Sequence, residues 1–364
     1  MEKKVQYDYY EVMRILACFF VIFNHTAYDG FFLFARRPIG GAQFWSYLFI
    51  SIFCKFAVPM FFAISGALLL SRKDEKLITV YRHRVLKFFL CLVVFSFFYY
   101  FVDVWRGKTA FSLKAFFLQL YSANWNFSFW YLYAFIAFLI ILPLLRPFAQ
   151  NLDNRAYWYM IALYIVFQAV IPVFQYVLGK DQYLINENLK IGFITSRIVF
   201  FPMLGYFLEH RITNLERKGK IIVLLWVINF ITICLCCYLT YIRAADLGEI
   251  TEQNSKKFHS VLSSVNTATI FLSIKYIFVK FGDKMHPCFL RILRSVGTCT
   301  FGIYILHVLI LKKWKYFQGI WDALRVRAGL NYMLTAFIVC FIIMLITYII
   351  TWILKKIPVI NKLL

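Results

Sequence analysis

One stretch near the N-terminus sets three ionisable residues into apolar sequence: Glu11-Val-Met-Arg14-Ile-Leu-Ala-Cys18-Phe-Phe-Val-Ile-Phe-Asn24-His25. On a helix, at about 100° per residue, Arg14 and His25 point within about 20° of each other, roughly 16 Å apart along the axis. Glu11 stands three residues before Arg14 on the same face and can pair with it. Charge on an apolar helix must look into protein or water, because hydrocarbon does not solvate it. Two readings follow. Arg14 snorkels to lipid headgroups while His25 makes a structural hydrogen bond, or the stripe lines a polar cleft in which a neutral imidazole takes a proton from a substrate.

Other residues carry chemistry more weakly. Tyr81-Arg82-His83-Arg84-Val-Leu-Lys87 is basic and borders an apolar run. Arg82, Arg84 and Lys87 suit either an ordinary cytoplasmic loop or a phosphate clamp, since guanidinium groups grip phosphate bidentately. Ser65-Gly66 reads as a helix-packing pair or a close approach to substrate. Trp130 and Tyr131 read as interfacial aromatics. His307 falls at a depth similar to His25 if its span also runs outward, so the two could line one cavity. Arg197 and Lys275 are cations inside apolar runs with no evident acidic partner; each lines the path of an anionic donor or snorkels. His83, His210, His259 and His286 receive no role. The nine cysteines read as small apolar filler. Cys234-x-Cys236-Cys237 lacks the spaced partners of a zinc site, so no metal is expected.

The elements that must hold these residues are membrane spans. The chain has 364 residues, is 62 % apolar and has a mean hydropathy of +0.71. Its apolar residues come in runs near the roughly 20 residues that cross a bilayer, at about 12–32, 44–70, 88–105, 129–145, 156–178, 190–208, 221–242, 261–280, 297–311 and 332–354. The expectation is an all-α polytopic membrane bundle of about ten transmembrane helices, one domain over residues 1–364. The runs are too long and too uniform for barrel strands. A net charge of +23 would suggest nucleic acid in a soluble protein. Here most Lys and Arg lie between runs, where they meet lipid headgroups, and no nucleic acid is expected. Ten spans put both termini in the cytoplasm and the most basic loop, 71–87, on the same side. Lys3 and Lys4 precede an apolar run without a cleavage site, so the start reads as a retained span.

Taken in order, these motifs resemble the acyltransferase 3 family of bacterial membrane proteins. The Glu11, Arg14, Ala17 and His25 pattern is similar to its first-span signature. Val58-Pro59-Met-Phe61-Phe62-Ala-Ile-Ser65-Gly66 is similar to its second-span V-P-x-F-F-x-x-S-G. Arg84 and Lys87 resemble its R-x-x-R, with Lys in place of the frequent Arg and Cys91 where Pro is common. Phe129-Trp130-Tyr131-Leu132, Leu204-Gly205-Tyr206 and Thr300-Phe301-Gly302-Ile-Tyr304-Ile-Leu-His307 complete the set, over residues 11 to 307. A further string, His25-Thr-Ala-Tyr-Asp29-Gly30, matches the H-x-x-x-D-G of some soluble acyltransferases. Those enzymes have a different fold, so the match is read as coincidence; Asp29 orients the imidazole from i+4 or stands in a solvated loop.

The resemblance implies a membrane O-acyltransferase in the bacterial cytoplasmic membrane. Its donor would be acyl-CoA, with acetyl the expected group, and its acceptor a hydroxyl of a cell-envelope glycan or lipid-linked sugar. His25 would be the general base, supported by Arg14 and Glu11. Arg82, Arg84 and Lys87 would hold the cofactor, and His307, Tyr304, Trp130 and Ser65 would line the substrate cleft. Many relatives carry an added soluble extracytoplasmic domain, which is not expected here. The alternative is a transporter or flippase of a lipid-linked sugar, using the same cleft as a conduit.

Overall fold

The computed structural model describes residues 8–364 except 74, 181, 260 and 314 and the side chains of 313 and 315–318. The segment around Lys3 and Lys4 lies outside them. The described residues form helices and no strand. Ten helices match the ten apolar runs. They are α1 (Asp8–Asn24), α2 (Ala42–Leu69), α3 (Leu77–Trp105), α4 (Phe127–Asn151) and α5 (Asn154–Gly179), then α6 (Arg197–His210), α7 (Gly219–Leu247), α8 (Ser263–Phe281), α9 (Thr300–Val308) and α10 (Tyr332–Leu354).

The expectation of an all-α bundle of about ten spans is confirmed in part, the helical fold but not the count. Among the described residues six helices, α2 to α5, α7 and α10, are long and apolar enough to cross a membrane, or up to eight if each of two bent pairs is one span. The bent pairs join Glu252–His259 to α8 at 60° and Pro287–Gly297 to α9 at 49°. The two runs that fall short are α1 and α6, of 17 and 14 residues. At 1.5 Å per residue they extend about 26 and 21 Å, less than the roughly 30 Å of a hydrocarbon core. Both are wrapped in protein. Helix α1 packs against the second half of α2, α8, α9, α10 and the Pro287–Gly297 helix, and most of α6 is buried.

Outward faces of the long helices are apolar, with Phe89, Val94 and Phe101 on α3, Val223 and Phe230 on α7, and Phe341 and Ile349 on α10 all exposed. Water would solvate such a surface poorly, and lipid covers it.

The tightest crossing in the bundle is between α2 and α6. A β-carbon on Gly66 would lie 1.9 Å from the Pro202 carbonyl oxygen, and one on Gly205 would lie 1.9 Å from that of Ala63. The two backbones touch, which is how small residues pack membrane helices. Helix α2 is interrupted by a 3-10 turn at Cys54–Phe56. Pro59 falls in the first turn of the second half, where a missing N–H breaks no helical bond. The interruption turns Lys55 toward the interior.

Candidate active site

Helix α1 ends at Asn24, and His25 starts the turn that follows. Its Nδ1 lies 2.7 Å from Nε2 of His307 on α9, with the two rings nearly parallel at 9°. His307 is fully buried. Its Nδ1 donates to the Tyr304 carbonyl one turn back, at 2.5 Å. A carbonyl only accepts, so that nitrogen carries hydrogen. For a neutral pair the network then assigns both tautomers. His307 Nε2 accepts, His25 Nδ1 donates, and His25 Nε2 keeps its lone pair.

Helix α9 is held for this purpose from two sides. Tyr304 Oη donates to the Ser128 carbonyl at 2.5 Å, and Tyr99 Oη donates to the Ile305 carbonyl at 2.8 Å. On the α4 side, Asn126 caps the turn before Trp130 by accepting from the Ser128 N–H at 3.0 Å. Phe127 stands edge-on to the His25 ring, with centroids 4.8 Å apart.

Two cavities meet at His25. The larger, about 970 Å³, is lined by Asn24, Lys55, Tyr164, Arg197, Lys256 and His259 among others. The smaller, about 260 Å³, is lined by Arg14, Ser65, Lys87, Phe88, Phe301 and Tyr304 among others, with Leu364 also on its wall. Val21, His25, Val58 and Trp130 border both. Arg14 and His25 therefore face one space, Arg14 with its Nη1 2.6 Å from Glu11 Oε1. Asp8, at the start of α1, takes a bidentate grip from Arg294 at 2.7 and 2.8 Å, which fixes this end of the helix.

The three expected donor-binding cations separate. Lys87 lines the smaller cavity. Arg84 instead binds Glu75, its Nη2 2.7 and 3.0 Å from the two carboxylate oxygens. Arg146, 1 % exposed, reaches the same carboxylate at 3.5 Å and donates to the carbonyls of Leu69 and Lys73. The Arg84 hydrogen bond, above all, holds the Glu75 carboxyl below its ordinary range. Arg82 is exposed and borders neither cavity.

Other expectations are corrected. Asp29 does not orient His25, because the helix stops before it; its carboxylate meets Arg325 at 3.1 Å and Arg36 at 3.7 Å. Lys275 does have an acidic partner, Glu209, at 3.3 Å. Trp130 lines both cavities. Ser65 lines the smaller cavity while its hydroxyl donates to the Phe61 carbonyl at 2.8 Å. The larger cavity also uses residues that received no role from sequence, Asn24 and His259 foremost. The only advance signal was the basic run Lys256-Lys257-Phe258-His259. Among the described residues no group of three or more His, Cys, Asp or Glu side chains could hold a metal ion.

A family model described as an acyltransferase domain matches residues 7–352, nearly the whole chain. The chain belongs to the acyltransferase 3 family. No curated protein and no solved structure matches it. Membership, together with the apolar helices, makes the protein a membrane acyltransferase and supports O-acyl transfer as its activity. In this acyltransferase His25 borders both cavities, and Arg14 and Lys87 border the smaller. His307, expected in the substrate cleft, lines neither cavity and stands behind His25, fully buried.

Proposed function

We propose that this acyltransferase moves an acyl group, acetyl in the simplest case, from acyl-CoA to a hydroxyl of a cell-envelope or exported glycan, with His25 as general base. The observation that carries the reading is that one imidazole, His25, borders both cavities. A transferase needs two substrates to meet at one proton acceptor. The smaller cavity suits the donor. It is lined by Phe88, Phe135 and Phe301, which fit an acyl-pantetheine arm, and it carries Lys87 and Arg14 for anionic groups. At about 260 Å³ it holds the arm but not the nucleotide. The larger cavity suits the acceptor.

In this mechanism the acceptor hydroxyl hydrogen-bonds to His25 Nε2, whose lone pair is free because Nδ1 is engaged with His307. His25 takes the hydroxyl proton as the oxygen attacks the thioester carbonyl carbon. A C–O bond forms, the C–S bond breaks, and the proton passes from His25 to the departing thiolate. His307 acts through His25: by accepting from Nδ1 it fixes the tautomer and stabilises the imidazolium that forms. General base catalysis of this kind contributes about 10²–10⁴ in rate. In the bilayer the donor side would face the cytoplasm, where acyl-CoA is made, with both termini on that side.

The test is single-turnover transfer by the purified full chain in lipid nanodiscs, following label from acetyl-CoA into envelope glycan. Transfer that needs both substrates is the expected result. Movement of a lipid-linked sugar across the bilayer without any acetyl-CoA-dependent product would replace this reading with the flippase.

A further inference from the structure

The larger cavity carries more positive charge than its own residues neutralise. Lys55, Arg197, Lys256, Lys257 and Lys312 line it, against a single carboxylate among the described residues, Glu252. That carboxylate is engaged with Lys256 at 2.6 Å. Among the described residues Lys55, Arg197 and Lys312 have no ion pair. Lys55 lies 4.2 Å from the centre of the Phe31 ring, and Arg197 and Lys256 are near enough to repel it. Cations gathered in a partly enclosed space, away from bulk water, repel one another unless an anion joins them.

A second observation points the same way. His259 is 2 % exposed and lines this cavity. Among the described residues both of its ring nitrogens lack a hydrogen-bond partner. Phe31, Phe32 and Phe34 surround the ring, with centroids 5.9, 6.3 and 5.3 Å away, so packing fixes its position while leaving its polar atoms unused. Buried polar atoms rarely stay unpaired in a finished site. Asn24 adds a third unpartnered atom, its buried Oδ1, on the same wall as His25.

We propose that the larger cavity recognises an acceptor bearing a phosphate or carboxylate, held by Lys55 and Arg197 with a hydrogen bond from His259, beside the hydroxyl that is acylated. This rests on the reading of that cavity as the acceptor side. A lysine and an arginine match an oxyanion in charge and donor number. The neighbouring Phe127, Trp130 and Tyr164 offer faces to a sugar ring. The volume, about 970 Å³, is that of a pocket for more than one sugar unit. The anion could be the phosphate of a lipid carrier or an acidic substituent of the glycan itself, and the chemistry of recognition is shared.

The test is equilibrium binding to the full chain in nanodiscs without any donor, so its outcome is independent of whether acyl transfer occurs. The probes are glucose, glucose 1-phosphate, glucuronate and farnesyl pyrophosphate. The expected result is that at least one anionic probe binds roughly tenfold or more tightly than glucose, and less so at high salt. Tighter binding of farnesyl pyrophosphate than of the acidic sugars assigns the anion to a lipid carrier, and the reverse assigns it to the glycan. Arg197→Gln and Lys55→Gln should each remove most of that preference. The Arg197 side chain makes no hydrogen bond or ion pair among the described residues, so its replacement tests the idea even if the Lys55 variant misfolds. Equal binding of glucose and every anionic probe would overturn the proposal. So would an Arg197→Gln protein that keeps the full preference.

Discussion

Nδ1 of His25 and Nε2 of His307 lie 2.7 Å apart across 282 residues of sequence. In the proposed mechanism the pair gives His307 a positioning role that a buried histidine on an apolar helix does not by itself imply. Replacing His25 by Ala or Asn should lower single-turnover transfer at least about a hundredfold, with folding and donor affinity little changed. Asn can hydrogen-bond but does not take a proton at neutral pH. His307→Ala should lower the same rate, and His307→Gln should restore part of it, because the glutamine oxygen can accept from His25 Nδ1. Equal rates for the Ala and Gln variants of His307 would show that it only fills space. Activity of a His25 variant within a few-fold of wild type would remove His25 from the chemistry.

Donor affinity should depend on Lys87 and Arg14 rather than on Arg84. Lys87 lines the cavity beside Arg14, whereas Arg84 is bound to Glu75. Lys87→Ala is expected to raise the apparent KM for acetyl-CoA about tenfold, the loss of one charge-assisted contact, with the acceptor KM unchanged. Arg84→Ala should mainly lower thermal stability. A donor KM that moves with Arg84 and not with Lys87 would reverse the assignment.

Local pattern made part of this site legible and long-range packing hid the rest. Glu11, Arg14 and His25 stand out because charge at helical spacing in apolar sequence has few explanations; Arg14 and His25 do border one cavity, and Glu11 pairs with Arg14. The ordered motifs also pointed to the family that matches residues 7–352. The roles of Arg84 and Lys87 look interchangeable in sequence. Only the return of Glu75 onto Arg84 separates them. Lys55 and His259 come together through a break in α2 and a short bent helix before α8, neither of which has a periodic signal. Of the ten apolar runs, up to eight correspond to candidate spans among the described residues; α1 and α6 are shorter helices packed within the protein.

The crossing of α2 and α6 should tolerate no added side-chain atom. At Gly66 and Gly205 the opposing atoms are backbone, 1.9 Å from where a β-carbon would sit, so no rotamer change relieves the clash. Gly66→Ala or Gly205→Ala should destabilise by more than the roughly 1–3 kcal/mol of ordinary overpacking. The yield of monodisperse protein in detergent and its thermal midpoint measure this. Either variant behaving as wild type would mean that the helices are further apart than described.

Glu75 should make stability depend on pH in a defined window. Its hydrogen bond to Arg84, aided by Arg146, keeps its folded-state pKa below the ordinary 4.5. The unfolded chain therefore takes up this proton first as pH falls. The stabilisation is complete above about pH 4.5 and drains away as pH drops through the lower folded value. Glu75→Gln removes the charge at every pH and leaves Arg146, 1 % exposed, without its carboxylate. At pH 7 the variant should be less stable by about 1.5–3 kcal/mol, typical of a hydrogen bond to a charged group. The difference in thermal midpoint between wild type and variant should be constant from pH 7 to about 5 and shrink below 4.5, in buffers of matched ionic strength. A difference that stays the same down to pH 3.5 would mean that another group carries the ion pair's stabilisation.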